Sequence, residues 1–121
     1  MPTAKLRVFH YPACSTCKKA LKWLDAHDVD YEPIHIVEHP PTKAELREAL
    51  KGAAIPLKKL FNTSGASYRD GNFGEKLGAM SEAEAIDALA KDGKLIKRPI
   101  VLGKGVALVG FDEDQYEQKL G

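Results

Sequence analysis

The sequence LRVFHYPACSTCKKALKWLDAHDVDYEPIHIV, residues 6–37, decides the fold because its hydrophobic periodicity changes twice. Leu6–His10 is a compact apolar run that is typical of a short strand. From Ser15 to about His27 the apolar residues recur at helical spacing. Tyr31–Val37 then alternates as a second strand. A strand, a helix and a strand within 32 residues predict a βαβ unit, whose two strands run parallel with a right-handed crossover.

The segment between about residues 40 and 92 is predicted to be helical. It contains two capping boxes, in which a hydroxyl residue is followed three positions later by glutamate: Thr42 with Glu45, and Ser81 with Glu84. Gly52 is expected to end the first of these helices, because glycine favours the left-handed conformation found there.

The C-terminal part of the chain predicts two more strands and a helix. Arg98–Leu102 and Val106–Val109 are β-rich, and Gly103–Lys104–Gly105 between them predicts a hairpin. A last helix begins near Asp112. The resulting order, βαβ, helices and then ββα, predicts an α/β, thioredoxin-like fold: a mixed four-stranded sheet with an inserted helical subdomain at about 40–92.

Length and composition narrow the class of protein. The chain has 121 residues, 44% of them hydrophobic, which suits a single domain covering residues 1–121. Its net charge of +1 gives no reason to expect direct binding of nucleic acid or of a membrane surface. Neither a secretory signal nor an apolar run of the ~18 residues needed for a membrane span is recognisable. We therefore expect a soluble, cytoplasmic protein.

The two cysteines, Cys14 and Cys17, form a CxxC pair between the first strand and the first helix. Two cysteines are too few for a disulfide scaffold, and the histidines do not complete zinc-ligand spacing, so no metal is expected. The free N–H groups of a helix start stabilise a thiolate, which makes Cys14 the candidate nucleophile. Cys17, one turn below, is the candidate resolving thiol. The alternative is a structural or incidental pair.

His10 and Arg98 are the other candidate site residues. His10 lies four positions before Cys14 at a strand end. Its imidazole either shares a proton or a charge interaction with the thiol, or simply forms a hydrogen bond to the backbone. Pro99 precedes the third strand, where a thioredoxin fold usually has a cis proline facing the cysteine loop. Arg98 then brings a positive charge near a bound anion or thiolate, unless it is a solvated edge arginine.

Several motifs resemble the arsenate reductase/Spx family of thioredoxin-like proteins. They are HYPACSTC at 10–17, PPTKAEL at 40–46 and LIKRPI at 95–100. LFNTSG at 60–65 and VGF at 109–111 look like the Spx/MgsR-like branch. The resemblance covers nearly the whole chain.

The resemblance implies chemistry at the first cysteine of the family's motif. In the glutaredoxin-coupled arsenate reductases that cysteine attacks arsenate and three arginines hold the oxyanion. Cys14 matches the nucleophile, His10 a histidine near it, and Arg98 one of the arginines. Asn62 and Gly110 stand where the other two arginines are expected. Neither residue supplies a positive charge, and this departs from the arsenate-binding pattern.

Three functions follow from these observations. The first is a thiol–disulfide oxidoreductase that uses Cys14 and Cys17, binds no cofactor, and is reduced by a glutaredoxin- or thioredoxin-type protein or a small thiol. The second is a Spx/MgsR-like redox-sensing regulator that contacts the C-terminal domain of the RNA polymerase α subunit. The third is a glutaredoxin-coupled arsenate reductase with glutathione as co-substrate.

Overall fold

The computed structural model describes residues 6–103 and 105–120. It contains four strands: β1 (Leu6–His10), β2 (Tyr31–His35), β3 (Ile100–Gly103) and β4 (Val106–Val109). They form one sheet in the order β2-β1-β3-β4. β1 is parallel to β2 and antiparallel to β3, and β3 is antiparallel to β4. The predicted α/β fold with a mixed, thioredoxin-like sheet is therefore confirmed.

Six α-helices and three short 3₁₀ helices are found within the described ranges. The α-helices are α1 (Ser15–Ala26), α2 (Lys43–Ala53), α3 (Ala66–Asp70), α4 (Phe73–Lys76), α5 (Glu82–Lys91) and α6 (Glu113–Leu120). The 3₁₀ helices are Leu57–Leu60, Leu77–Ala79 and Gly93–Leu95. Helices α2 to α5 lie between β2 and β3, where the helical insertion was predicted. None of the helices in this part of the chain is long and apolar enough to cross a membrane.

The strands differ from the prediction only at their ends. β2 stops at His35, two residues before the predicted end at Val37, and β3 begins at Ile100 rather than Arg98. β3 and β4 pair as the predicted hairpin, with Gly103 opposite Val106. Lys104, in the predicted turn, lies outside the described residues.

Strands β1, β3 and β4 contain buried residues. Successive strand residues point to opposite sides of a sheet, and the two sides belong to different core clusters. Phe9, Ile100 and Leu102 face α2 and α5, and they join one core cluster. Val8 and Val101 face α1 and α6 in a second cluster. The sheet is thus the middle layer of three, and the loop after β1 emerges at one edge of that layer.

The two predicted capping boxes are both present. Thr42 Oγ1 accepts the Glu45 N–H at 3.1 Å, while Glu45 Oε1 accepts the Thr42 N–H at 2.9 Å. Ser81 and Glu84 repeat the arrangement at the start of α5. Since each cap satisfies helix N–H groups that lack a partner within the helix, the two boxes set where α2 and α5 begin.

The prediction that Gly52 ends α2 is wrong. The helix continues to Ala53, and the residue in the left-handed conformation is Ala54, with φ of 53°. Gly52 is needed for close packing instead, because a Cβ added there would lie 2.5 Å from the Cβ of Ala107 on β4. The missing side chain allows α2 to approach the sheet.

We expect Gly52→Ala to destabilise the protein. The helix-propensity gain of about 0.5–1 kcal/mol is smaller than the cost of overpacking, about 1–3 kcal/mol. Urea unfolding should therefore show a net loss of about 1 kcal/mol. Gly78→Ala is the matched control, because nothing lies within 4 Å of a Cβ added at Gly78. Equal stability of the two variants would contradict this account of Gly52.

Candidate functional site

Cys14 is the N-cap residue of α1. Its backbone is extended, with φ of −86° and ψ of 117°, and its Sγ accepts the N–H of Cys17 at 3.4 Å. A Ser, Thr or Asp oxygen usually makes this contact at a helix start. The Cys14 N–H in turn donates to the carbonyl of Tyr11 at 2.9 Å, which closes the turn that follows β1. The fold therefore places the Cys14 sulfur at the start of the helix, within hydrogen-bonding distance of the Cys17 N–H.

Cys17 is the buried partner of the pair, with only 1% of its surface exposed. Its Sγ accepts the N–H of Tyr11 at 3.5 Å. Burial raises the pKa of the Cys17 thiol to about 12, and the neighbouring Cys14 adds to the rise. Cys17 therefore remains protonated near neutral pH.

Cys14 has the opposite electrostatic character. Its partial burial disfavours the thiolate, but the thiol and backbone N–H of Cys17, together with the Arg98 guanidinium, outweigh that effect and lower the Cys14 pKa. Both cysteines are free, and Cys14 is half-buried. The pair thus combines a partly exposed thiol of lowered pKa with a buried thiol of raised pKa.

Arg98 lies over the cysteine loop rather than in solvent. The Arg98–Pro99 peptide bond is cis, as predicted for a proline at this position. The guanidinium carbon is 4.8 Å from the ring centre of Tyr11, within cation–π distance. Its Nη1 is buried and has no hydrogen-bond partner among residues 6–103 and 105–120. Arg98 therefore has an unpartnered donor and lies close enough to Cys14 to lower its pKa.

His10 is not joined to Cys14 by any hydrogen bond within the described ranges. It faces His35 across β1 and β2, and burial together with His35 lowers the His10 pKa. A neutral histidine contributes little to thiolate stabilisation, so the predicted role of His10 remains a prediction.

In the same ranges, no group of three or more His, Cys, Asp and Glu side chains is arranged to hold a metal ion.

Tyr11 is a site residue that the sequence analysis missed. Its N–H contacts Cys17, its carbonyl contacts Cys14, and its ring lies beneath Arg98. The ring also meets His35 edge-on, with centroids 5.6 Å apart. Two of these roles belong to the backbone, which any residue type provides, so the only sequence signal was an aromatic residue beside the CxxC loop.

The positions where further arginines were expected have different structural roles. Asn62 donates its N–H to the carbonyl of Leu95 at 2.8 Å, and its side chain packs against Gly65. Gly110 has φ of +80°, a conformation that residues with side chains rarely adopt. Its N–H donates to the carbonyl of Pro99 at 2.8 Å. An arginine at position 110 would therefore strain the backbone beside the cis bond.

Comparisons with known proteins give a consistent family and fold. The sequence profile of the ArsC family matches residues 9–119. YusI of Bacillus subtilis (strain 168), an uncharacterized protein, is 49% identical over 93% of this chain and 96% of its own length. The global transcriptional regulator Spx of Streptococcus pyogenes serotype M3 is 28% identical over 89% of this chain and 79% of its own length. The crystal structure of an ArsC family related protein from Bacteroides fragilis superposes on this one with a TM-score of 0.91. The two chains are 42% identical, and the match covers 97% of this chain and 98% of the other.

We expect Arg98→Gln to move the pH profile of Cys14 alkylation to higher pH. Only the thiolate reacts, and loss of the guanidinium raises the pKa of Cys14, so less thiolate is present at any given pH. Iodoacetamide labelling at a series of pH values from about 5 to about 10, followed by peptide mass spectrometry, measures the alkylation of Cys14 and of Cys17 separately. Arg69→Gln, at an exposed arginine, is the control and should leave the profile unchanged. An Arg98→Gln profile identical to that of wild type would exclude Arg98 as a source of thiolate stabilisation.

Proposed function

The chain belongs to the ArsC family, and on that premise we propose that it is a thiol–disulfide oxidoreductase whose redox pair is Cys14 and Cys17. The observation that supports this most strongly is the opposite perturbation of two adjacent thiols, with the pKa of Cys14 lowered and that of Cys17 raised. This difference assigns the order of reaction. The accessible thiolate attacks first, and the buried thiol acts only afterwards.

In the first step, the Cys14 thiolate attacks one sulfur of a disulfide R–S–S–R′. A bond forms between Cys14 and R–S, the original S–S bond breaks, and R′–S⁻ leaves with the electron pair. Arg98 lies close enough to Cys14 to lower its pKa, and its unpartnered Nη1 is available to the negative charge that moves along the three sulfurs.

In the second step, the Cys17 sulfur attacks the sulfur of Cys14. Burial is the main reason that the pKa of Cys17 is raised, and the neighbouring Cys14 adds to the rise; formation of the mixed disulfide removes the Cys14 contribution. The Cys14–Cys17 bond forms, the bond between Cys14 and R–S breaks, and the proton of Cys17 leaves with R–S as the thiol R–SH. The substrate gains two electrons and the protein dithiol becomes a disulfide.

A reductant must return the disulfide to the dithiol state. We propose a glutaredoxin- or thioredoxin-type protein, or a small thiol such as glutathione as co-substrate, each of which supplies the two electrons as thiols. No bound cofactor is needed for this exchange. The proposal places the reaction in the cytoplasm, where such reductants keep thiols reduced.

A redox-sensing regulator is the second candidate, and the similarity to Spx over 89% of the chain favours it. Formation of the same Cys14–Cys17 disulfide would then act as a switch rather than as a catalytic step. Binding to the C-terminal domain of the RNA polymerase α subunit would be the output, through protein contact and without direct contact with nucleic acid.

Arsenate reduction is the third candidate, and Cys14 with Arg98 supports it. The residues at the two other expected arginine positions favour disulfide exchange instead. Two missing charged hydrogen bonds to an oxyanion cost about 1.5–3 kcal/mol each. An arginine at position 110 would also have to adopt the φ of +80° found at Gly110, which residues with a side chain rarely do.

We expect Cys14→Ser and Cys17→Ser to fail at different steps. With 2-hydroxyethyl disulfide, the wild type should lose two hydrogens as its internal disulfide forms. Cys17→Ser should accumulate the mixed disulfide on Cys14, because nothing resolves it. Cys14→Ser should react at least ~100-fold more slowly, because the remaining thiol is buried and protonated. Intact-mass spectrometry over time distinguishes the three. Reaction of Cys14→Ser at the wild-type rate would disprove the assigned nucleophile.

For the regulator, the expected result is redox-dependent binding to the purified C-terminal domain of the polymerase α subunit. Biolayer interferometry with the wild type, reduced and then oxidised, should show different affinities. The Cys14→Ser variant should respond identically in both conditions, because it cannot form the internal disulfide. Absence of binding in both states would remove this candidate.

A further inference from the structure

A groove of about 730 Å³ lies beside the CxxC loop. Thr16, which stands between the two cysteines, lines it, as do Phe61 and Thr63 on either side of Asn62. Gly110 contributes a further wall. The volume falls within the roughly 300–1,000 Å³ that is typical of sites for small molecules. The groove thus borders the CxxC loop at Thr16, includes Gly110, and is lined by both sequence neighbours of Asn62.

The groove carries a net positive charge. Three lysines line it, Lys58, Lys59 and Lys97, and its one lining carboxylate is Asp112. The Asp112 Oδ1 is already occupied at the start of α6, where it accepts the N–H groups of Asp114 and Gln115. The ion pairs found among residues 6–103 and 105–120 do not involve the three lysines. Their charges are therefore available to a ligand.

Lys97 occupies the space left by the glycine at position 110. Its backbone is held by an N–H donated to the carbonyl of Leu60 at 2.8 Å. Its side chain passes over Gly110, where an added Cβ would lie 3.4 Å from Lys97 Cε. The cation that residue 110 cannot carry is thus supplied from the neighbouring segment.

We propose that Lys58, Lys59 and Lys97 select small disulfides that carry carboxylates as the substrates of this site. The inference rests on the proposed redox function and deepens it by naming the substrate class. An ammonium group is a compact charge on a flexible stem and binds an anion as a point charge. Three exposed lysines along one groove can therefore meet carboxylates that lie apart on a small peptide-like disulfide.

The test compares three disulfides of different charge: glutathione disulfide (negative), 2-hydroxyethyl disulfide (neutral) and cystamine (positive). The rate of Cys14–Cys17 disulfide formation is followed by intact-mass spectrometry at low salt. In the triple variant Lys58→Met, Lys59→Met, Lys97→Met, we expect the rate with glutathione disulfide to fall by about tenfold. The rate with the neutral disulfide should be unchanged, and the rate with cystamine should rise.

The matched control removes the same charge from exposed lysines that do not line the groove: Lys51→Met, Lys76→Met, Lys94→Met. It should keep the wild-type ratio of the glutathione disulfide rate to the neutral rate. An equal change of this ratio in both triple variants would mean that the rate depends only on the net charge of the protein, and it would overturn the proposal. An unchanged ratio in the groove variant would overturn it as well.

A non-reactive ligand separates this inference from the redox function. S-methylglutathione keeps both carboxylates but has no thiol to exchange. We expect it to perturb the amide resonances of Thr16, Lys97 and Gly110 in the wild type, and to perturb those of Thr16 and Gly110 clearly less in the triple variant Lys58→Met, Lys59→Met, Lys97→Met. That result would support the groove even if no disulfide oxidised the protein. Absence of perturbation at millimolar ligand in the wild type would overturn the groove, whatever the cysteines do.

Discussion

The hydrogen bond from the Cys17 N–H to the Cys14 sulfur, 3.4 Å long, joins the chemistry of this protein to its fold. It exists because β1 ends one short turn before α1 begins, so that the first cysteine becomes the helix cap. A sulfur in that position accepts a backbone donor that the helix leaves free. The same contact places the second cysteine under the first, inside the core. This arrangement helps to lower the pKa of Cys14 and buries Cys17.

Tyr11 and Arg98 complete the arrangement from opposite sides of the loop. The backbone of Tyr11 contacts both cysteines, and its ring supports the guanidinium at 4.8 Å. Arg98 arrives from the segment before β3, which is distant in sequence but adjacent in the sheet because β1 pairs with β3. The charge that stabilises the thiolate is therefore fixed by sheet order.

The cation pattern around the loop distinguishes this chain from an oxyanion site with three arginines. Gly110 adopts a φ of +80° and leaves room for the side chain of Lys97. Three lysines line the neighbouring groove of about 730 Å³. The proposed carboxylate-bearing disulfides would bring negative charge to these lysines, which bind anions as point charges.

The amino-acid sequence by itself determined the βαβ unit, both capping boxes and the position of the CxxC pair, because these depend on local periodicity and on contacts within one turn. It misjudged Gly52, whose role is set by Ala107 on a distant strand. The sequence also left the role of His10 open, and the sheet adds that His10 lies opposite His35. Only the tertiary structure decided the roles of Tyr11 and Lys97. Those roles depend on backbone groups and on contacts between remote segments, which leave no periodic signal in the sequence.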